Sequence, residues 1–89
     1  MEAERCFVVI ESKDAETGRW CECDYFTILK TPNEHPLGQI EPVMMERFDS
    51  RYTGYRTNKK HGTIDYYFEN DLERLKCCIE KRCLDYWND

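Results

Sequence analysis

Long hydrophobic runs are missing from this chain. After the start Met1, Glu2, Ala3, Glu4, Arg5, the apolar residues Cys6, Phe7, Val8, Val9 and Ile10 give way to Glu11. That run is far shorter than the roughly 20 residues of a membrane span or the about 7–15 of a secretory signal core. The expectation is therefore a cytoplasmic protein with no membrane partner.

Catalytic signatures are missing as well. There is no GxSxG, no Gly-rich phosphate loop and no HExxH. The two histidines, His35 in a Pro-rich segment and His61 in an expected turn, sit where nothing would lock an imidazole against a thiol. Carboxylate pairs such as Glu22 and Asp24 are too common among eighteen Asp and Glu to mark acid and base roles. A chain of 89 residues supports one core and seldom a deep pocket, so neither enzymatic activity nor a cofactor is expected.

Zinc-knuckle spacing is absent, although there are six cysteines. Cys21 and Cys23 would share a strand face, and Cys77, Cys78 and Cys83 come much later. Without a secretory signal these thiols are expected to be reduced and to act as small apolar side chains. No metal site is assigned. A zinc or thiol site joining Cys21 and Cys23 to two of the later cysteines is the alternative.

What is present is hydrophobic periodicity, which divides the chain as one α+β domain over residues 1–89. Residues 6–11 are apolar and β-branched on both faces, as in a central strand. Residues 13–18 end in Gly and suit a hairpin loop, so 19–30 should return antiparallel, with Cys21, Cys23, Tyr25, Thr27 and Leu29 toward the core. Pro32, Asn33, His35, Pro36 and Gly38 make 31–38 a loop. Pro42 suits the first position of a short helix, with Glu41 as its cap and Val43, Met44, Arg47 and Phe48 on one side.

Residues 51–57 form a weak strand interrupted by Gly54, residues 58–62 a turn and residues 63–68 a stronger strand. Asn70 and Glu73 have capping-box spacing, and Leu72, Leu75, Ile79, Cys83 and Tyr86 follow as an apolar stripe. That combination predicts a closing helix over 70–87. The order is β-β-α-β-β-α, and the economical arrangement is an antiparallel sheet of about four strands with two helices on one face.

Charge layout carries the functional reading. The chain nets −5, yet residues 50–62 hold Arg51, Arg56, Lys59 and Lys60 with no acid, so the remainder nets −9. Such a body would steer toward a basic partner. We expect a small non-catalytic binding protein, most concretely an inhibitor of a basic nucleic-acid-handling protein or ribonucleoprotein, of the kind viruses use against host defence. Its surface would be Asp14, Glu16, Trp20, Glu22 and Asp24, with carboxylates replacing phosphates and Trp20 as the hot spot. The alternative is nucleic-acid binding by the basic hairpin, with Tyr52 and Tyr55 stacking on bases and Arg51, Arg56, Lys59 and Lys60 meeting phosphates. On the closing helix, Cys77 and Leu84 fall off the main stripe, with Trp87 between the two faces, a strip that could seal a homodimer, dock a partner or be covered by the loop 31–39.

Overall fold

The computed structural model describes residues 4–30, 35–81 and 83. They form five strands, β1 (Glu4–Lys13), β2 (Trp20–Lys30), β3 (Arg51–Asn58), β4 (Thr63–Glu69) and β5 (Arg74–Glu80), with one helix, α1 (Leu37–Phe48), between β2 and β3. The strands make a single antiparallel sheet in the order β2-β1-β5-β4-β3. The helix thus connects the two edge strands, and β5 fills the gap between β1 and β4.

This corrects the expected four-stranded sheet with two helices on one face. The closing helix does not form over 74–80, where the chain is a central strand. The spacing of Leu75 and Ile79 is even, so it satisfies a strand as well as a helix, and Cys77 between them is buried too. Leu72, whose odd spacing from Leu75 favoured a helix, is 91% exposed. The capping signal has its own explanation. Asn70 Oδ1 accepts the backbone N–H groups of Leu72 and Glu73, each at 2.8 Å, as a helix cap would. However, the Asn70 N–H donates to the Glu73 carbonyl at 3.0 Å, so an Asx turn closes a tight β4–β5 hairpin.

Helix α1 starts earlier than expected, at Leu37. The carbonyls of His35 and Pro36 accept the N–H groups of Gly38, Gln39 and Ile40, so His35, Pro36 and Gly38, expected in the loop, build the first turn, while Pro32 and Asn33 lie outside the described residues. Pro42 lies inside the helix on its exposed side. The helix stops at Asp49, which is left-handed with φ 49°, and its N–H returns to the Met45 carbonyl. That bond makes an αL ending, and the Ser50 N–H and hydroxyl both bond the Met44 carbonyl beyond it.

Ile40 and Met44 are fully buried against one face of the sheet. That face supplies Cys6, Val8 and Ile10 from β1, Phe26 and Ile28 from β2, Ile64, Tyr66 and Phe68 from β4, and Leu75, Cys77 and Ile79 from β5. The core side of β2 is therefore not the one expected: Tyr25 is 60% exposed, and Cys21 and Cys23 are exposed as well. The molecule measures 45 × 30 × 19 Å, and among the described residues its layers are the sheet and one helix. Among the described residues no helix or strand packs on the second face of the sheet, the open face. Among the described residues no helix is long and apolar enough to cross a membrane.

Candidate partner-binding surfaces

The expected acidic surface on β2 is divided by a bulge. The pairing of β1 with β2 shifts from Ile10 opposite Asp24 to Glu11 opposite Glu22, which leaves Cys23 as the extra residue. Beyond the bulge the side-chain alternation reverses. Trp20 and Glu22 therefore lie on the open face with Lys13 and Glu11, whereas Asp24 lies on the helix side with Ile10.

Asp24 is engaged there. Its Oδ2 accepts a charge-assisted hydrogen bond from Arg47 Nη1 of α1 at 2.8 Å, and its Oδ1 accepts the Tyr25 N–H at 2.8 Å. Arg47 also donates to the Tyr25 carbonyl, and Gln39 both accepts from the Leu29 N–H and donates to the Leu29 carbonyl. These bonds cover the outward backbone groups of Tyr25 and Leu29 on the edge strand β2. An unpaired strand edge invites pairing with another chain, so Asp24, Arg47 and Gln39 act as edge guards.

Two further carboxylates are spent at the middle of the open face. Lys76 lies 3.4 Å from Glu11 and 3.9 Å from Asp65, and Asp65, only 2% exposed, also accepts the Thr63 hydroxyl at 3.0 Å. Trp20, half-buried, reaches over this cluster. Lys76 Nζ lies 4.7 Å from the indole centroid, and Tyr67 meets the ring edge to face at 5.9 Å.

The loop end of the sheet is different. The β1–β2 and β4–β5 loops lie side by side there, and together with the strand residues next to them they line a cleft of about 740 Å³. Its carboxylates are Asp14, Glu16, Glu69, Asp71 and Glu73, against the cations Lys13 and Arg74. Asp49, at the exit of α1, joins Asp71 and Leu72 in an adjoining cleft. Asp14 also shapes its own loop, with its Oδ1 accepting the N–H groups of Glu16 at 2.7 Å and Thr17 at 3.1 Å. None of these six carboxylates forms an ion pair among the described residues. Leu72 stands out of their midst.

Of the expected surface, Asp14 and Glu16 thus gather with Glu69, Asp71, Glu73 and Asp49 rather than with Glu22 and Asp24. Asp71 and Glu73 fall in the first turn of the expected closing helix and so lie outside the expected surface, as do Glu69 and Asp49, which no spacing in the sequence links to Asp14 and Glu16. Asn70, Asp71 and Glu73 between two apolar runs are also a hairpin-loop signal.

The alternative site is divided too. Tyr52 and Tyr55 pair with Phe68 and Tyr66, on the helix side, while Arg51 and Arg56 pair with Glu69 and Asp65, on the open side. Tyr52 packs on Phe68 at 5.7 Å, and burial raises its phenol above its ordinary value. Tyr55 is exposed, and Lys59 and Lys60 occupy the β3–β4 turn at the opposite end from the acidic loops.

Cys6 and Cys77 are buried, and burial pushes the Cys77 thiol up to about 12. Among the described residues no group of three or more His, Cys, Asp and Glu is placed to hold a metal. Cys77 lies in the core rather than on a dimer surface, and Leu84 and Trp87 lie outside the described residues. Compared with protein-family models, curated proteins and solved structures, the chain matches none.

Proposed function

We propose that this chain is a non-catalytic binding protein whose acidic loop end engages a protein or ribonucleoprotein with a basic, nucleic-acid-handling surface. The observation that supports it is the convergence of Asp14, Glu16, Asp49, Glu69, Asp71 and Glu73 around Leu72, with no ion pair among them. Carboxylates that remain unpaired keep their full attraction for an incoming cation and can stand where phosphates would. Leu72 supplies what charge alone lacks, an apolar anchor ringed by polar groups. An inhibitor that competes with nucleic acid for the same surface would work in this way.

The test is affinity capture from the source cell with three baits: the unaltered chain, the double variant D71K/E73K and the control E22K. The unaltered chain and E22K should retain a basic protein that heparin displaces and that elutes between about 0.1 and 0.5 M salt. D71K/E73K should lose it. A partner kept equally by D71K/E73K, or indifferent to salt, would overturn the proposal.

A further inference from the structure

The open face carries a second surface, of opposite charge, that takes one residue or more from every strand. Lys13 of β1, Trp20 of β2, Arg56 of β3, Tyr67 of β4 and Arg74 of β5 line a cleft of about 370 Å³. Glu69 is the one carboxylate on its wall, against three cations. Arg74 faces Glu69 and Arg56 faces Asp65 across the strand ladder, yet neither guanidinium closes an ion pair or a hydrogen bond among the described residues. Asp65 is taken by Lys76 and Thr63. The cations are therefore available, and the aromatic wall is fixed in place. Lys13 and Lys76 hold their ammonium groups 5.9 and 4.7 Å from the Trp20 centroid, and Tyr67 braces the ring edge.

Unpaired guanidinium groups next to a braced indole and phenol meet the two needs of a nucleotide, an anion partner for phosphate and a flat partner for the base. The volume is enough for one such unit, since ligand clefts begin near about 300 Å³. We propose that this cleft takes a nucleotide unit, its base against Trp20 and Tyr67 and its phosphate against Lys13, Arg56 and Arg74. The proposal does not depend on the acidic loop end meeting a partner, although Lys13, Glu69 and Arg74 line both clefts, so the two surfaces adjoin. It differs from binding by the whole basic hairpin, because Tyr52 and Tyr55 face the other way and Lys59 and Lys60 lie at the turn.

The unit can come from a free nucleotide or from a single strand, and titration separates the two sources. In a W87F background Trp20 is the only indole, so its fluorescence reports the cleft. Adenosine monophosphate and an adenosine oligoribonucleotide of about ten residues are titrated in turn. Saturable quenching is expected from at least one of them. Equal affinity per unit assigns a free nucleotide, and much tighter binding of the oligomer assigns a strand.

R56A/R74A should weaken binding at least tenfold with an unchanged thermal melt. If a strand is bound, the same variant should flatten the salt dependence by about 1.4 in log–log slope, the loss of two phosphate contacts. Anisotropy of the labelled oligomer on the unaltered chain repeats the strand comparison without the W87F substitution. No quenching and no anisotropy change with either ligand would overturn the proposal. So would binding that survives R56A/R74A and is lost with K59A/K60A, which would place the contact at the turn.

Discussion

Asp24 on β2 and Asp71 in the β4–β5 loop are both acids next to a residue with exposed carbon, Tyr25 in one case and Leu72 in the other. Asp24 is held by Arg47 and by the Tyr25 N–H, and with Gln39 it closes a strand edge. Asp71 forms no ion pair among the described residues and shares its cleft with four other carboxylates. Glu11 and Asp65 belong with Asp24, since Lys76 serves both. Net charge counts all of these groups alike. The fold has already paired some of them; of those without an ion pair among the described residues, six gather at one end of the sheet, while Glu22 lies on the second face and Glu41 and Glu46 on α1.

The contrast can be broken first at its most engaged carboxylate. Asp65→Ala leaves Lys76, whose side chain is only 13% exposed, with one carboxylate partner instead of two. Removing one partner of a buried pair should cost about 3 kcal/mol, read as a loss of unfolding free energy in urea. A loss under about 1 kcal/mol would mean that Glu11 alone satisfies Lys76.

Asn70→Ala comes next. It removes the two Oδ1 bonds that form the loop and the 2.7 Å donation from Nδ2 to the Phe48 carbonyl, which ties the loop to the end of α1. The expected cost is about 2 kcal/mol, with weaker partner binding because Asp71, Leu72 and Glu73 lose their shape. Asp24→Ala should cost about 1 kcal/mol, since the pair with Arg47 is partly solvated. Its distinguishing outcome is concentration-dependent association, measured by sedimentation, as the β2 edge is uncovered. In D71K/E73K stability should stay within about 0.5 kcal/mol of the unaltered chain, because no internal partner is lost.

Alkaline pH probes the covered face instead. Cys77 is pushed from its ordinary 9.0 up to about 12 and Tyr66 from 10.0 up to about 12, both chiefly by burial. The unfolded chain releases these protons first, so their contribution is whole below pH 9.0 and declines as pH rises toward about 12. Thermal melts should therefore fall above pH 9.0, and Cys77→Ala should make the fall shallower.

The two-residue alternation of Cys6, Val8 and Ile10 and of Ile64, Tyr66 and Phe68 made β1 and β4 legible in the sequence, and Gly18 and Gly62 marked two turns. β5 was not legible as a strand. Leu75 and Ile79 fit either period, and Asn70 bonds the next N–H groups in a hairpin loop just as it would at a helix start. The surface was obscured by one residue. Cys23 carries no mark of a bulge, yet its insertion turns Trp20 and Glu22 to one face and Asp24 to the other. Whether a carboxylate is free depends on partners far along the chain, such as Arg47 for Asp24, and spacing between neighbours does not report them.

The most direct measurement is the association rate of the captured partner with the unaltered chain, D71K/E73K and E22K across a salt series. Rates should fall at least tenfold at low salt for D71K/E73K, with the salt dependence flattened, and stay within about twofold for E22K. Equal slowing by E22K and D71K/E73K would contradict the assignment of the free carboxylates of the loop end as the surface that meets the partner.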